Sequence, residues 1–446
     1  MLNEELVNKW QPVLEHSDLP EIKDSYRKIV TAHMLEQQEN ALAEQASVQG
    51  AGSTSLLGES SSPITQAQNV DNFDPVLISL VRRTAPNLIA FDIMGVQPMS
   101  GPTGLIFALR PTYAKVQGGG DHANAPANAF YNEANTGFSA GAGAMAAFDS
   151  NAMFQAAATE ATVSFHQAAA LATAEEWGSG DNNDIPSMSF NIDKSQVTAR
   201  TRALKAEYSV ELAQDLKAIH GLDAETELAN ILTTEINAEI NREIVRAVYL
   251  TATGSAAVSA RASGPRGNVG FTDSNLGALD GRWLVERFKA LVYKIETEAN
   301  AIAKNTRRGK GNFIMCTADV ASALATAGVL DPSAALTVDD TGSTFAGTIG
   351  SGMKVYIDPY SITGDDFVCV GYKGTSPYDA GMFYCPYVPL QMVRAIGEDN
   401  FQPKIGFKTR YGIGLNPFAT ATGTAAIAIG NNNRYYRGFA IDNLAG

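Results

Sequence analysis

The chain has 446 residues, with 33 Lys and Arg against 47 Asp and Glu, for a formal net charge of −14. That balance excludes a protein whose main surface grips nucleic acid, because such affinity comes from neutralising phosphates with cationic side chains. An acidic chain can still enclose DNA without holding it tightly.

Three cysteines, Cys316, Cys369 and Cys385, lie far apart, which points to a reducing compartment rather than a disulfide framework. No Cys/His spacing suits zinc. No 18-residue apolar run predicts a membrane span, and Glu4 and Glu5 with no apolar core behind them predict no secretion signal. The length admits two or more domains and a substantial core.

Residues 1–49 form an acidic, glutamine-rich block without glycine. Asp18, Leu19 and Pro20 read as a helix start, and Ile22, Tyr26, Ile29, Val30 and Met34 mark a helix reaching toward Ala46. Gly50-Ala-Gly-Ser breaks it. Leu56-Leu57-Gly58-Glu59 and Ser60 to Ser62 follow, the composition of an interdomain linker or of extended bait for a protease.

Apolar content returns at 74–97. Gly101-Pro-Thr-Gly104 is turn chemistry, and Leu105 to Tyr113 reads as a strand leading outward. A strand of related character returns at Phe190 to Arg202. If the two pair, everything between them projects as an insertion. That insertion, 118–187, opens on Gly118-Gly-Gly120 and is rich in Ala, Asn and Gly. No Gly-Lys-Ser/Thr follows the triplet, so a phosphate loop is not expected.

Leu204 to Leu222 reads as a short helix or helix pair, broken at Gly221 beside His220. The longest uninterrupted element comes next, from Asp223 to about Thr253. Leu228, Leu232, Ile236, Ile240, Ile244 and Val248 recur every four residues, and Ile231, Val245 and Ala247 widen the stripe. Asp223 is the expected N-cap, Glu225 and Glu227 suit the first turn, and Gly254 offers the stop. Such a rod spans roughly 45 Å.

Arg282 to about Lys304 is a second amphipathic helix, burying Leu284, Phe288, Leu291, Val292 and Ile295. The basic loop Asn305 to Asn312 precedes a strand at Phe313. A short helix at Val320–Ala327, closed by Gly328, and strands at Lys354 and Phe367 suggest a mixed sheet with helices against it. Toward the end, Ile405, Phe407, Thr409 and Tyr411 alternate as a strand with one buried face, and prolines punctuate the aromatic stretch from Gly381 as at edges or bends.

No constellation for catalysis emerges. His16, His33, His122, His166 and His220 sit in unrelated segments, and neither GxSxG nor HExxH occurs. Asp339-Asp340 and Asp365-Asp366 are acidic pairs in turn-like contexts. No catalytic, cofactor or metal residue is assigned, and the expectation is a protein that is not an enzyme and carries no cofactor.

Two long stretches then carry a resemblance. Leu204 to Arg246, LKAEYSVELAQDLKAIHGLDAETELANILTTEINAEINREIVR, and Gly381 to Phe418, with GMFYCPYVPLQ and NFQPKIGFKTRYGIGLNPFA, resemble the major capsid proteins of T-even-type tailed phages. Gly101–Arg110 (GPTGLIFALR) and Met353–Gly374 are similar to that family too, whereas 118–187 matches it poorly and is shorter than in the family's fuller members.

The resemblance implies an α+β fold of the HK-ninety-seven capsid type, with a long spine helix, peripheral and axial domains and an extended loop carrying an insertion domain. The implied division is a cleavable pro-segment at 1–59, an N-arm at 60–97, the extended loop at 98–117 and 188–203, and the insertion domain at 118–187. The peripheral domain with the spine helix takes 204–259, the axial domain 260–375, and 376–446 holds C-terminal strands returning to both.

Implied too are hexameric capsomers of one chain, tiling an icosahedral or prolate head that encloses DNA without sequence-specific binding and away from any membrane. Assembly takes place in the host cytoplasm, with a vertex protein, a portal, an internal scaffold and a prohead protease as partners. Decoration proteins and a host chaperonin are admitted as well. The protease cuts after a glutamate preceded two residues earlier by Leu or Ile. Leu57-Gly58-Glu59 fits, with the cut before Ser60. Leu2-Asn-Glu4, Leu19-Pro-Glu21, Leu42-Ala-Glu44, Leu284-Val-Glu286 and Ile396-Gly-Glu398 fit equally, and linker context selects Glu59. The alternatives are a pentamer-forming vertex paralogue, an encapsulin-like shell, and a multi-domain enzyme taking an acidic substrate at Arg307–Lys310.

Overall fold

The computed structural model describes residues 2–16, 22, 24–52, 82, 88–115, 138, 171–175, 177, 185, 187–254, 268–270, 284–331, 345–350, 352–360, 366–376, 378–397, 402–419 and 433–442. They fall into two compact units. One comprises Met1–Ile106, Ser195–Ile302 and Gly309–Gly446; the other comprises Phe107–Lys194 and Ala303–Arg308. Helices and strands are mixed throughout, the α+β class expected.

The first unit opens with two helices, α1 (Leu2–Leu14) and α2 (Ser25–Gly52). The first lies ahead of the helix read from the sequence, and the second runs on through Gly50 to Gly52. They pack on each other through a polar seam. Lys9 donates to Glu36 at 2.8 Å and to Glu39 at 2.6 Å, and Trp10 Nε1 donates to Glu36 at 3.1 Å. Trp10, Leu14, Val30, Met34 and Leu35 are buried in the main core. A short helix α3 (Ala90–Ile93) and strand β1 (Gly95–Val96) follow, and they are buried in the same core.

One sheet has the order β1-β12-β13-β4, where β4 is Arg200–Glu207, β12 is Met382–Ile396 and β13 is Pro403–Leu415. Strand β4 corrects the sequence reading, which put Leu204–Glu207 in a helix. Its pairing with Lys404–Tyr411 on β13 outweighs local helix propensity. The helix proper, α5 (Val210–His220), starts at Ser209, whose Oγ accepts from the Leu212 amide at 3.2 Å. It stops at Gly221, whose φ of +68° is the left-handed conformation glycine adopts without strain.

The long helix α6 (Ala224–Thr251) lies on this sheet. Leu232, Ile236, Ile240, Ile244 and Val248 are buried against Ile405, Phe407, Tyr411 and Leu415, so both four-residue and two-residue periodicities meet in one core. Ile231 is instead exposed and Val245 and Ala247 are half-buried; the true stripe is narrower than the sequence implied. Asp223 does not cap the backbone with its side chain, which accepts from Thr226 Oγ1 at 2.9 Å. Gly254 is no stop either: the helix passes straight into strand β5 (Ala252–Gly254).

Prolines act on β12 as expected. Its pairing with β13 shifts register between Pro386 and Val388 and again before Gln391, because a proline nitrogen cannot donate to a ladder. On β13, Ile405, Phe407, Thr409 and Tyr411 are all buried. Gly412 and Gly414 alternate with them, and a Cβ on either would sit within about 2.5 Å of Val197, so only glycine lets these layers meet.

The second sheet runs β5-β14-β11-β7-β10-β9-β8, with β6 (Asn268–Gly270) also paired to β14. Here β7 is Phe313–Thr317, β8 Leu330–Asp331, β9 Phe345–Ile349, β10 Lys354–Asp358, β11 Asp366–Gly371 and β14 Asn433–Asp442. Its central strands are buried on both faces. Phe313 and Met315 point into the core that holds α6, while Ile314 and Cys316 point toward α7 (Leu284–Thr306) and α8 (Ala318–Thr326). Phe288, Leu291 and Ile295 are the buried face of α7, as read from the sequence. Glu298 on α7, 4% exposed, is held by Lys294 at 2.7 Å and by Arg437 of β14 at 2.6 Å.

Strands β2 (Thr103–Lys115) and β3 (Ser187–Thr198) pair with each other, as their sequence suggested. Between them the described residues are few: Phe138, which meets the Tyr113 ring at 4.4 Å, a short helix α4 (Leu171–Glu175), Trp177 and Ile185. The Gly118 triplet lies outside the described residues.

Candidate functional site

Among the described residues no group of three or more His, Cys, Asp or Glu is placed to hold a metal ion. His220 is exposed on the last turn of α5 and His33 is half-buried on α2; His122 and His166 lie outside the described residues. The three cysteines are buried, and burial pushes the thiols of Cys316 and Cys385 up to about 12, which suppresses the reactive thiolate. Asp366 accepts from Thr317 Oγ1 at 2.8 Å; Asp339, Asp340 and Asp365 are outside the described residues. In the basic loop, Lys310 pairs with Glu296 of α7. No helix of the described residues is long and apolar enough to cross a membrane.

What stands out instead is exposed apolar surface on ordered elements. On β2, Ile106, Ala108 and Thr112 are buried while Phe107 and Leu109 are exposed; on β3, Ser195 and Val197 are buried while Met188, Phe190 and Ile192 are exposed. Thr112 Oγ1 meets Ser189 Oγ at 2.9 Å, which puts those two side chains on one face. By the two-residue period of a strand, Phe107, Leu109, Met188, Phe190 and Ile192 therefore share the opposite face. Phe107 is 62% and Phe190 68% exposed. With Leu105, which is exposed on the same side, six large apolar side chains occupy one face of a two-stranded ribbon, where water-facing strands ordinarily place polar groups.

A second such surface belongs to the first unit. Helix α5 buries none of its residues, and Leu212, Ile219 and Leu222 are exposed there together with Ile231 of α6. Val393 and Ile396 on the far end of β12 are exposed as well, and Arg394 beside them pairs with Glu225 on the first turn of α6. By resemblance the sequence reading assigned the ribbon to an extended loop but singled out no apolar face on it, and it missed the second surface altogether. A strand of Leu, Phe and Ile looks like core until its burial is known.

The charged residues of α6 sort into two kinds. Glu239 and Glu243 accept from Arg202 of β4, at 2.5 Å for Glu243, and Arg202 Nε also donates to Tyr411 Oη at 3.0 Å. Arg242 reaches Asp358 at the end of β10. These pairs lock the helix to both sheets. Glu235 and Arg246 face outward.

The cleavage triplet Leu57, Glu59 and Ser60 lies outside the described residues. Of the competing motifs, Leu2-Asn-Glu4, Leu42-Ala-Glu44 and Leu284-Val-Glu286 fall within α1, α2 and α7, and Ile396 ends β12. The helical ones would need to unwind before a protease could bind them.

Comparison with known proteins agrees with a shell component. The family model described as "Major capsid protein Gp23" matches residues 70–441. A "Major capsid protein" of Serratia phage KSP90 is 40% identical over 94% of this chain and 91% of its own length. That of Enterobacteria phage T4 is 37% identical over 94% of this chain and 93% of its own; the alignment of 495 positions exceeds the 446 residues here, so that relative holds segments this chain lacks. The "Capsid vertex protein" of the same phage is 28% identical over only 54% of this chain. Among solved structures, the capsid of Myoviridae phage XM1 aligns over 79% of this chain and 92% of its own, at 9% identity and a TM-score of 0.40.

Proposed function

The chain belongs to the Gp23 family of major capsid proteins, and from that premise we propose how it builds a phage head: as hexameric capsomers joined through the β2–β3 ribbon. The family is structural and its product is the shell of the virion. The higher identity and fuller coverage of the major capsid proteins favour this reading over the vertex paralogue.

The observation that carries the assembly reading is the exposed apolar face of the ribbon. A ribbon presenting Phe107, Leu109, Met188, Phe190 and Ile192 gains free energy by lying on a neighbouring subunit, at about 25 cal/mol for each Å² removed from water. A contact of one face with a different face of the next copy forms a ring when the rotation between copies closes, the geometry a capsomer requires. In this reading 98–117 and 188–203 are the extended loop of an HK-ninety-seven-type subunit, and 118–187 is its insertion domain. The remaining divisions are an N-arm at 60–97, a peripheral domain at 204–259, an axial domain at 260–375 and returning strands at 376–446.

The second half of the proposal concerns residues 1–59. They direct assembly on an internal scaffold and are removed by the prohead protease after Glu59, with Leu57 read two residues before the cut and Ser60 becoming the new terminus. Vertex protein, portal, decoration proteins and a host chaperonin are the further partners of this reading, and the chain itself carries no catalytic function. Electron microscopy of the purified chain under assembly conditions tests the shell directly. Closed or sheet-like arrays of hexameric units are expected, and a persistently monomeric species with no particles would reject the assembly reading.

A further inference from the structure

The relation between residues 1–52 and the rest of the chain goes beyond a tether. Helices α1 and α2 form one hairpin through the Lys9, Trp10, Glu36 and Glu39 seam. Its apolar side is continuous with the main core. Trp10, Leu14, Val30 and Leu35 are buried in the same cluster as Phe91 and Val96. Polar contacts then fix the hairpin in place. Arg27 Nη2 donates to Asp92 Oδ1 at 2.6 Å, and its guanidinium lies 5.4 Å from the Phe91 ring centre. Tyr26 Oη donates to the Val96 carbonyl and Gln37 Nε2 to the Met99 carbonyl. From the other side, buried Arg82 donates to the Leu14 carbonyl at the end of α1, with Nη2 at 2.8 Å.

Each of the polar contacts that fix the hairpin in place joins a residue before 52 to one after 59. A cut in the intervening linker breaks none of them. We propose that the body of the chain carries a peptide-binding surface, formed by Arg82, residues 88–99 and β12, against which α2 packs, and that its ligand is its own α1–α2 hairpin. Cutting and release are then separate steps: the severed segment stays seated, and its later departure uncovers the surface. The apolar fraction of the contact makes it resist salt, since burial of Trp10 and Leu35 does not depend on ionic screening. This rests on the reading that residues 1–59 are removed during maturation, but the test can be made independent of the natural protease.

A sequence-specific protease site is placed across residues 54–60 of the full-length chain, and the purified protein is cut in solution. Gel filtration and native mass spectrometry at about 1 µM, in 0.15 M and in 1 M NaCl, read whether the segment travels with the body. The expected result is co-migration of most of the segment at both salt concentrations. Trp10→Ala with Leu35→Asp should weaken retention at least tenfold, and the milder Arg27→Ala should speed release severalfold without touching the apolar seam. Separation of the wild-type segment in the first pass, or equal retention by every variant, overturns the proposal. If wild-type retention is found and mature particles nonetheless begin at Met1, the removal reading fails while the binding surface stands.

Discussion

Arg242 Nη1 lies 2.7 and 2.6 Å from the two carboxylate oxygens of Asp358, joining the middle of the long helix α6 to the end of β10. The carboxylate is almost fully buried, at 4% exposed, and it also accepts from Tyr249 Oη at 3.3 Å and from the Tyr360 amide at 3.0 Å. Removing the arginine takes a charged donor away from a buried carboxylate, which costs more than the loss of a neutral hydrogen bond. Arg242→Ala is therefore expected to cost about 3 kcal/mol. In a double-mutant cycle, Arg242→Ala with Asp358→Ala should lose at least ~1 kcal/mol less than the sum of the single variants. Urea unfolding of the unassembled chain measures this, and additive losses would show that the pair is not coupled.

The ribbon gives the opposite expectation, because its side chains face water in the isolated subunit. Phe107→Ser with Phe190→Ser should leave unfolding within roughly 0.5 kcal/mol of the parent, as surface substitutions usually do. Particle formation should fall at least tenfold by electron microscopy and sedimentation. Normal particle yield from the double variant would remove the ribbon from the assembly contact.

Proteolysis is tested by mass. Chains taken from mature particles should begin at Ser60, lighter by residues 1–59, which carry ten acidic and four basic side chains. Glu59→Ala should block the change of mass, while Glu44→Ala, within α2, should leave it intact. Processing that persists in Glu59→Ala would move the site elsewhere.

Lys373 supplies a pH signature. Its Nζ donates to the Phe91 carbonyl, and burial pushes the amine down to about 8; Asp92 and Asp24 oppose the shift, and Arg27 and Lys354 add to it. Between pH 8 and the ordinary lysine value near 10.5, the unfolded chain binds the proton that the folded chain has released, so stability rises with pH. Above about pH 10 the trend reverses. Burial raises the Tyr26, Tyr249 and Tyr384 hydroxyls, so the folded chain keeps protons that the unfolded chain gives up. A gain of about 1–2 kcal/mol from pH 8 to 10 is expected after allowance for partial solvent exposure, and Lys373→Met should abolish it. A flat profile in the parent would show that the amine is not held in a cost-bearing site.

Much of the architecture was legible locally. The four-residue recurrence from Leu232 to Val248, the alternation from Ile405 to Tyr411 and the breaker at Gly221 each record a regular geometry repeated in adjacent residues. The errors fell where local preference met a distant partner. Leu204–Glu207 has helical composition and became strand because β13 offered a ladder. Gly254 looked like a helix stop and was drawn into a strand beside β14.

The sequence by itself determined the family, the long helix α6 and the mixed class, since motif order and hydrophobic period are properties of the chain alone. Only the tertiary structure decided which apolar residues are core and which are contact surface. Ile106 and Phe107 are neighbours of equal hydrophobicity; one is buried and the other faces water because a strand sends successive side chains to opposite sides, and only one side of this ribbon is covered. Tertiary structure likewise decided that the acidic amino-terminal block is seated on the body, because the fit of Arg27 to Asp92 and of Tyr26 to the Val96 carbonyl joins positions about 65 to 70 residues apart, a separation that no local pattern encodes.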